Sequence, residues 1–183
     1  MKQRRANDIL GLGAVAVDDL IFVESYPPPD AKARVVRRER HCGGLAGTAL
    51  VAASRLGARC AYAGVMGNDE LSAVALAGME REGIDVSAVE RKPSSGPVHS
   101  HIVVDQQRGT RNVFSYEPRV VGASLRTPAA LIVSCRVLLV DHLGVPGMVR
   151  AARLARWAGI PVVADIESDR HPQIHQLDRK SVV

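Results

Sequence analysis

Aromatic residues make up only 3% of this 183-residue sequence, and none lies within its two basic clusters, Lys2 to Arg5 and Arg34 to Arg40. Surfaces that hold nucleic acid interleave stacking rings with their cations. The net charge of +5 is therefore read as a solvated face, and no nucleic-acid partner is expected. Cysteine is scarce as well. Cys42, Cys60 and Cys135 are far apart and form no C-x-x-C pair. That spacing suggests neither a disulfide framework nor a zinc site, and leaves three buried or half-buried thiols. No apolar run reaches membrane-span length, low-complexity tracts are lacking, and the first residues carry no signal-peptide pattern. A cytoplasmic protein with no membrane partner is the expectation.

What is present suits one globular domain with a proper core: 46% of residues are hydrophobic and 23% charged. The chain is organised around residues 42–69. Gly43 and Gly44 let the backbone approach a bound group that a Cβ would push away. A helix of small residues follows and turns its donor-rich N-terminus to the same spot, which predicts a place for a polar ligand. Within that helix Leu45, Ala49, Ala52, Ala53 and Leu56 recur at helical spacing and predict the buried face. Gly57 stops the helix, and a strand is expected to end at Gly67.

Upstream, Ile9 to Val17 reads as a buried first strand closed by Asp18 and Asp19. Gly11-x-Gly13-x-x-Ala16 mimics a dinucleotide fingerprint, but strand-like residues follow where the fingerprint needs a helix. Tyr26 to Asp30 is a stiff proline turn, and Arg34 to Arg40 alternates like an exposed strand. Downstream, Glu70 to Glu82 is a helix with Leu71, Val74, Ala75, Gly78 and Met79 on one face, ended by Gly83. Pro97 to Val104 and Arg111 to Tyr116 form a hairpin. His99 and His101 share a face of its first strand, which is compatible with metal ligation. The sequence offers no third ligand, so no metal site is expected there. Val137 to Val140 is a buried parallel strand ended by Asp141. A helix over Gly147 to Trp157 and a strand over Pro161 to Ala164 complete a strand–helix–strand unit of an α/β protein. His171 and His175 lack an H-E-x-x-H context and read as surface helix residues.

The run GGLAGTALVAASRLGA resembles the N-terminal signature of the PfkB, or ribokinase-like, sugar kinases: GG-x-x-x-N-x-A and then a helix ending in LG. Residues Tyr62 to Glu70 resemble the family's strand ending in G-x-D-x-x-G, and the likeness extends from Ile9 to about Leu177. Thr48 stands where most members carry a sugar-binding Asn, and Ser72 replaces a Gly. The Thr48 change bears on which sugar is bound more than on whether the fold is a kinase.

The resemblance implies a ribokinase-like, Rossmann-type α/β sandwich with a parallel sheet, in which residues 1–177 are the N-terminal part of one kinase domain. A small β-sheet lid is inserted at about residues 19–41 and 97–117. It implies ATP-dependent phosphorylation of a sugar hydroxyl with Mg²⁺, and a homodimer formed through the lid. Asp18, Asp30, Gly43, Gly44, Thr48, Arg111 and Asp141 would be the substrate-binding residues, with Asp30 reaching the partner's sugar. The family's N-x-x-E magnesium motif and G-A-G-D anion-hole and base motif occur nowhere in the sequence. The expectation is thus a truncated product lacking the catalytic C-terminal half, inactive by itself, with residues 178–183 an artefactual tail. A nucleoside kinase of the same fold and a non-catalytic sugar or nucleotide sensor stay open as alternatives.

Overall fold

The computed structural model describes residues 7–168 and 170–178. The basic cluster at residues 2–5 lies outside them, and so does the tail apart from the backbone of residue 178. In chain order the elements are β1 (Asn7–Leu12), β2 (Ala16–Val23), β3 (Val35–Gly43), α1 (Leu45–Arg55), β4 (Cys60–Tyr62) and β5 (Val65–Met66). Then come α2 (Glu70–Arg81), β6 (Glu90–Arg91), β7 (Val98–Asp105), β8 (Thr110–Tyr116) and α3 (Ala129–Ser134). The last are β9 (Cys135–Val140), α4 (Val145–Trp157), β10 (Val162–Ala164) and α5 (His175–Asp178). Among the described residues no helix is long and apolar enough to cross a membrane.

The core sheet runs β10-β9-β1-β4, and every pair in it is parallel. Its strands are buried on both sides, so they read as continuous aliphatic runs. Alternate side chains divide between two cores. Leu10, Leu12, Ala61, Leu138 and Val140 pack with α3 and α4 around Ile132, Met148, Ala151 and Ala155. Cys60 and Tyr62 pack on the other side with Leu50 of α1 and Ala75 and Met79 of α2. Helices on both faces of a parallel sheet make the α/β sandwich.

Gly11 belongs to this packing. A Cβ there would lie 2.5 Å from Leu50 Cδ1, so the glycine lets α1 settle on the sheet. The apparent dinucleotide fingerprint is thus a packing device.

Three expected elements are corrected; beside them, Cys42 is exposed where a buried or half-buried thiol was expected, and His171 lies ahead of the last helix and not on it. The first strand ends at Leu12, and Gly13 to Val15 carry the chain out of the core sheet into a new strand, β2. Asp18 is consequently the third residue of a strand and does not close one. In α1 the buried residues are Ala46, Gly47 and Leu50, whereas Ala52 and Leu56 are exposed, Leu56 at 89%. Small apolar residues surround this helix, so hydrophobic spacing could not tell which side meets the sheet; the space Gly11 leaves for Leu50 and the tight approach of Gly44 to Val15 set it. The strand expected to run to Gly67 breaks after Tyr62, and β5 pairs with β6 away from the core sheet.

The second sheet is the lid, in the order β3-β2-β7-β8. β2 is antiparallel to β3, β7 is antiparallel to β8, and a parallel seam joins β2 to β7. Both edge strands are largely exposed.

Candidate substrate site

The site is built on the link between the two sheets. Gly13 has φ 149, and a Cβ on it would lie 2.2 Å from Asp141 Oδ2, so only glycine fits. Asp141 follows β9 and is 1% exposed. Its Oδ2 accepts the Ala14 N–H at 2.6 Å and its Oδ1 accepts the Leu143 N–H at 2.8 Å. Burial pushes its carboxyl up to about 6, against the opposing pull of these N–H donors and of the Ala46 N–H in the first turn of α1. The Tyr62 hydroxyl, fully buried, donates to the Gly13 carbonyl at 2.9 Å. Burial raises its phenol pKa, and the Asp141 charge adds to that.

The start of α1 docks on the same link. Gly47 N–H donates to the Ala14 carbonyl at 3.1 Å, and a Cβ on Gly44 (φ 88) would lie 2.7 Å from Val15 Cα. Donors expected to face a ligand therefore face Ala14 and Asp141. Asp141 is placed beneath the open face, with both oxygens engaged by backbone.

Asp18 lies just past this link. Cross-strand pairing sets it beside His41 of β3 and Ser100 of β7. The neighbouring Gly43 is open, since a Cβ there would lie 2.7 Å from Asp18 Oδ2. Asp18 is half-buried, and its carboxylate receives no hydrogen bond or ion pair from any described residue. A carboxylate in that condition has acceptor sites free for hydroxyl donors. Ser100, buried beside it, is a neighbour the sequence did not single out.

The other expected residues are more scattered. Thr48 is exposed on α1, and its N–H closes the first turn on the Gly44 carbonyl at 2.8 Å. Thr48 and Gly43 also border a cavity of about 540 Å³ between β3, α1 and α2, whose lining does not include Asp18. Arg111 pairs with Val104, which pairs with Phe22. It thus shares the Asp18 face of the lid, four residues further along, or about 13 Å by strand rise. Asp30 is exposed in the turn before β3 and holds φ 61.

The opposite face of β2 carries a second polar group. Asp19 accepts Arg40 Nε at 2.6 Å and Nη2 at 3.0 Å, and lies 2.8 Å from His99 Nε2. The Arg40 hydrogen bonds, aided by His99, hold its carboxyl down near 2 despite partial burial. The His99 and His101 ring centroids are 4.5 Å apart. Two histidines on alternate residues were legible in the sequence; their partner was not, because it arrives across the seam from 80 residues away.

A family profile for pfkB family carbohydrate kinases matches residues 7–179. The chain is 28% identical to mouse ketohexokinase over 118 residues, covering 64% of this chain and 40% of that enzyme. It is 25% identical to a nucleoside kinase of Methanothermobacter thermautotrophicus over 167 residues, covering 90% of this chain and 53% of that one. The fold matches Arabidopsis thaliana ribokinase solved with ribose and ATP at a TM-score of 0.77 and 15% identity, covering 94% of this chain and 57% of that one. The chain thus spans about half the length of the relatives it matches. Such kinases use ATP. The group of three metal-capable side chains among the described residues, two imidazoles and one carboxylate, is not the oxygen set that Mg²⁺ takes.

Proposed function

Because the chain belongs to the pfkB family of carbohydrate kinases, we propose that it forms the sugar-facing side of an enzyme that transfers a phosphoryl group from ATP to a sugar hydroxyl. The observation that carries this reading is Asp18: a half-buried carboxylate with no hydrogen-bond partner among the described residues, beside a glycine whose missing side chain leaves its oxygens open. One such carboxylate bridges two neighbouring hydroxyls through charge-assisted hydrogen bonds. Gly43 and Gly44 form the floor, and Thr48 adjusts which sugar is accepted. Arg111 stands on the same lid face, and Asp30 is offered to the sugar of a partner subunit.

Pairing of two lids supports that last role, because a four-stranded sheet with two exposed edges gains from being covered. Phosphoryl transfer needs a phosphate cradle and a base as well. Without G-A-G-D or N-x-x-E, these 183 residues bind sugar and do not transfer phosphate. A nucleoside is the second substrate class, favoured by the likeness to the archaeal nucleoside kinase.

Calorimetric titration of the chain with a panel of hexoses, pentoses and nucleosides tests the assignment. Losing charge-assisted bonds to buried hydroxyls costs about 1.5–3 kcal/mol, so Asp18→Ala should weaken the best ligand about ten- to a hundredfold. A change within about twofold across the panel would refute the site. Sugar-dependent ADP release by the purified chain would refute its inactivity.

A further inference from the structure

We propose that Asp19, His99 and His101 form a binding site for a divalent transition metal of the zinc class, on the lid face turned away from Asp18. One ligand atom from each residue falls within 4.8 Å of the others, close enough to converge on a single ion.

The sheet itself sets this geometry. His99 and His101 are alternate residues of β7 and project from one face. The parallel seam places Asp19 opposite His101. Asp19 Oδ2 is already 2.8 Å from His99 Nε2, and the two rings stand side by side. Asp19 and His99 are half-buried while His101 is exposed, so an ion would enter from the His101 side.

The donor set decides the class of metal. Two imidazoles and a carboxylate suit zinc, nickel, cobalt or copper and leave at least one position for water. They do not suit calcium or magnesium, which take oxygen ligands. Arg40 has two parts to play. With no ion bound, its guanidinium occupies both Asp19 oxygens. On binding, Nη2 yields Oδ2 to the metal, while Nε keeps Oδ1 and orients the carboxylate from behind, as outer-shell partners of metal ligands do. The nitrogen that coordinates from His99 gives its proton to the other ring nitrogen or to solvent. The bound ion then ties β2 to β7, whose partners are distant in sequence.

The test titrates the whole chain with Zn²⁺ against a chromophoric chelator, and with Co²⁺ for its visible spectrum. One ion per chain is expected, with nitrogen–oxygen and no thiolate character. His101→Ala and Asp19→Asn should each weaken Zn²⁺ at least tenfold, the least that even an outer-shell change causes. Cys42→Ser and His41→Ala, which remove the exposed thiol and another lid histidine, should leave affinity unchanged. Zn²⁺ should raise the melting temperature of the wild type and not of His101→Ala. His101 is exposed, so its replacement spares the core, and His101→Gln serves as a second variant should the alanine form prove unstable. Binding that survives His101 replacement, binding abolished by Cys42→Ser, or no binding of Zn²⁺ or Co²⁺ would each overturn the site.

Discussion

Asp141→Asn separates the electrostatic cost of burying this carboxyl from the hydrogen bonds it accepts from Ala14 and Leu143. The folded protein raises this carboxyl from its ordinary 3.8 to about 6, chiefly by burial. The native state therefore holds the Asp141 proton more tightly than the unfolded chain does. The resulting stability is complete only well below the unfolded value of 3.8 and is lost as pH rises through about 6. Roughly two pH units of separation, at about 1.4 kcal/mol each, amount to about 3 kcal/mol. Asparagine does not ionise. Its own cost, an NH₂ group facing the Ala14 or Leu143 N–H, does not vary with pH. Urea unfolding followed by circular dichroism at half-unit steps from pH 4 to 7 gives the stability of each form. Wild type minus variant should fall by about 2.5 kcal/mol across that range and level near pH 7. Asp8 and Asp19, whose carboxyls are held low, stabilise in the opposite sense as pH rises, and they cancel in the difference. A difference that stays flat to within about 0.5 kcal/mol would show that Asp141 is as readily ionised folded as unfolded, and the reasoning would fail.

Gly43→Ala should move the Asp18 carboxylate while keeping its charge, since the new Cβ falls 2.7 Å from Oδ2. Sugar affinity measured by calorimetry should drop about five- to tenfold with an unchanged melting temperature; unaltered affinity would count against the Asp18 site. Thr48→Asn exchanges a hydroxyl for an amide with two donors and an acceptor. It should reorder the panel of sugars more than it changes the tightest affinity, and an identical ranking would remove Thr48 from the site. Sedimentation should show a dimer at micromolar concentration that Val113→Asp dissociates, because Val113 is 52% exposed on the lid face it shares with Leu20 and Ile102. A monomeric wild type would end the lid-pairing proposal.

Much of the architecture was legible because it is local. The aliphatic run Val137 to Val140 could only be a strand buried on both faces, and the Gly109 turn closed the β7–β8 hairpin as its sequence predicts. The glycine pair and Asp18 stood out for the same reason. The helix face was misread because alanine and glycine give hydrophobic spacing nothing to resolve, and the side that meets the sheet is set by Leu50 entering the space above Gly11. What sequence could not supply was anything made by distant segments. Asp141 reaches Ala14 across 127 residues, and Asp19 meets His99 across 80. The amino-terminal donors of α1 looked like a ligand site because their protein acceptors come from elsewhere in the chain.

Asp18 and Asp19 are consecutive residues of one type with opposite destinations: one lies on the face of Ser100, the other on the face of His99 and His101. Nothing in their own chemistry tells them apart; the parity of the link between β1 and β2 does. Asp141 pins that link at Ala14 and thereby fixes its phase. Inserting one residue between Leu12 and Ala16 would exchange the two carboxylates and turn every lid residue of β2 inside out. Inserting two would bring Asp18 back to its side of the sheet, displaced by one pleat. The buried aspartate at the base of the lid thus acts as the counter that decides which of two identical acids stands on the face proposed to meet the substrate.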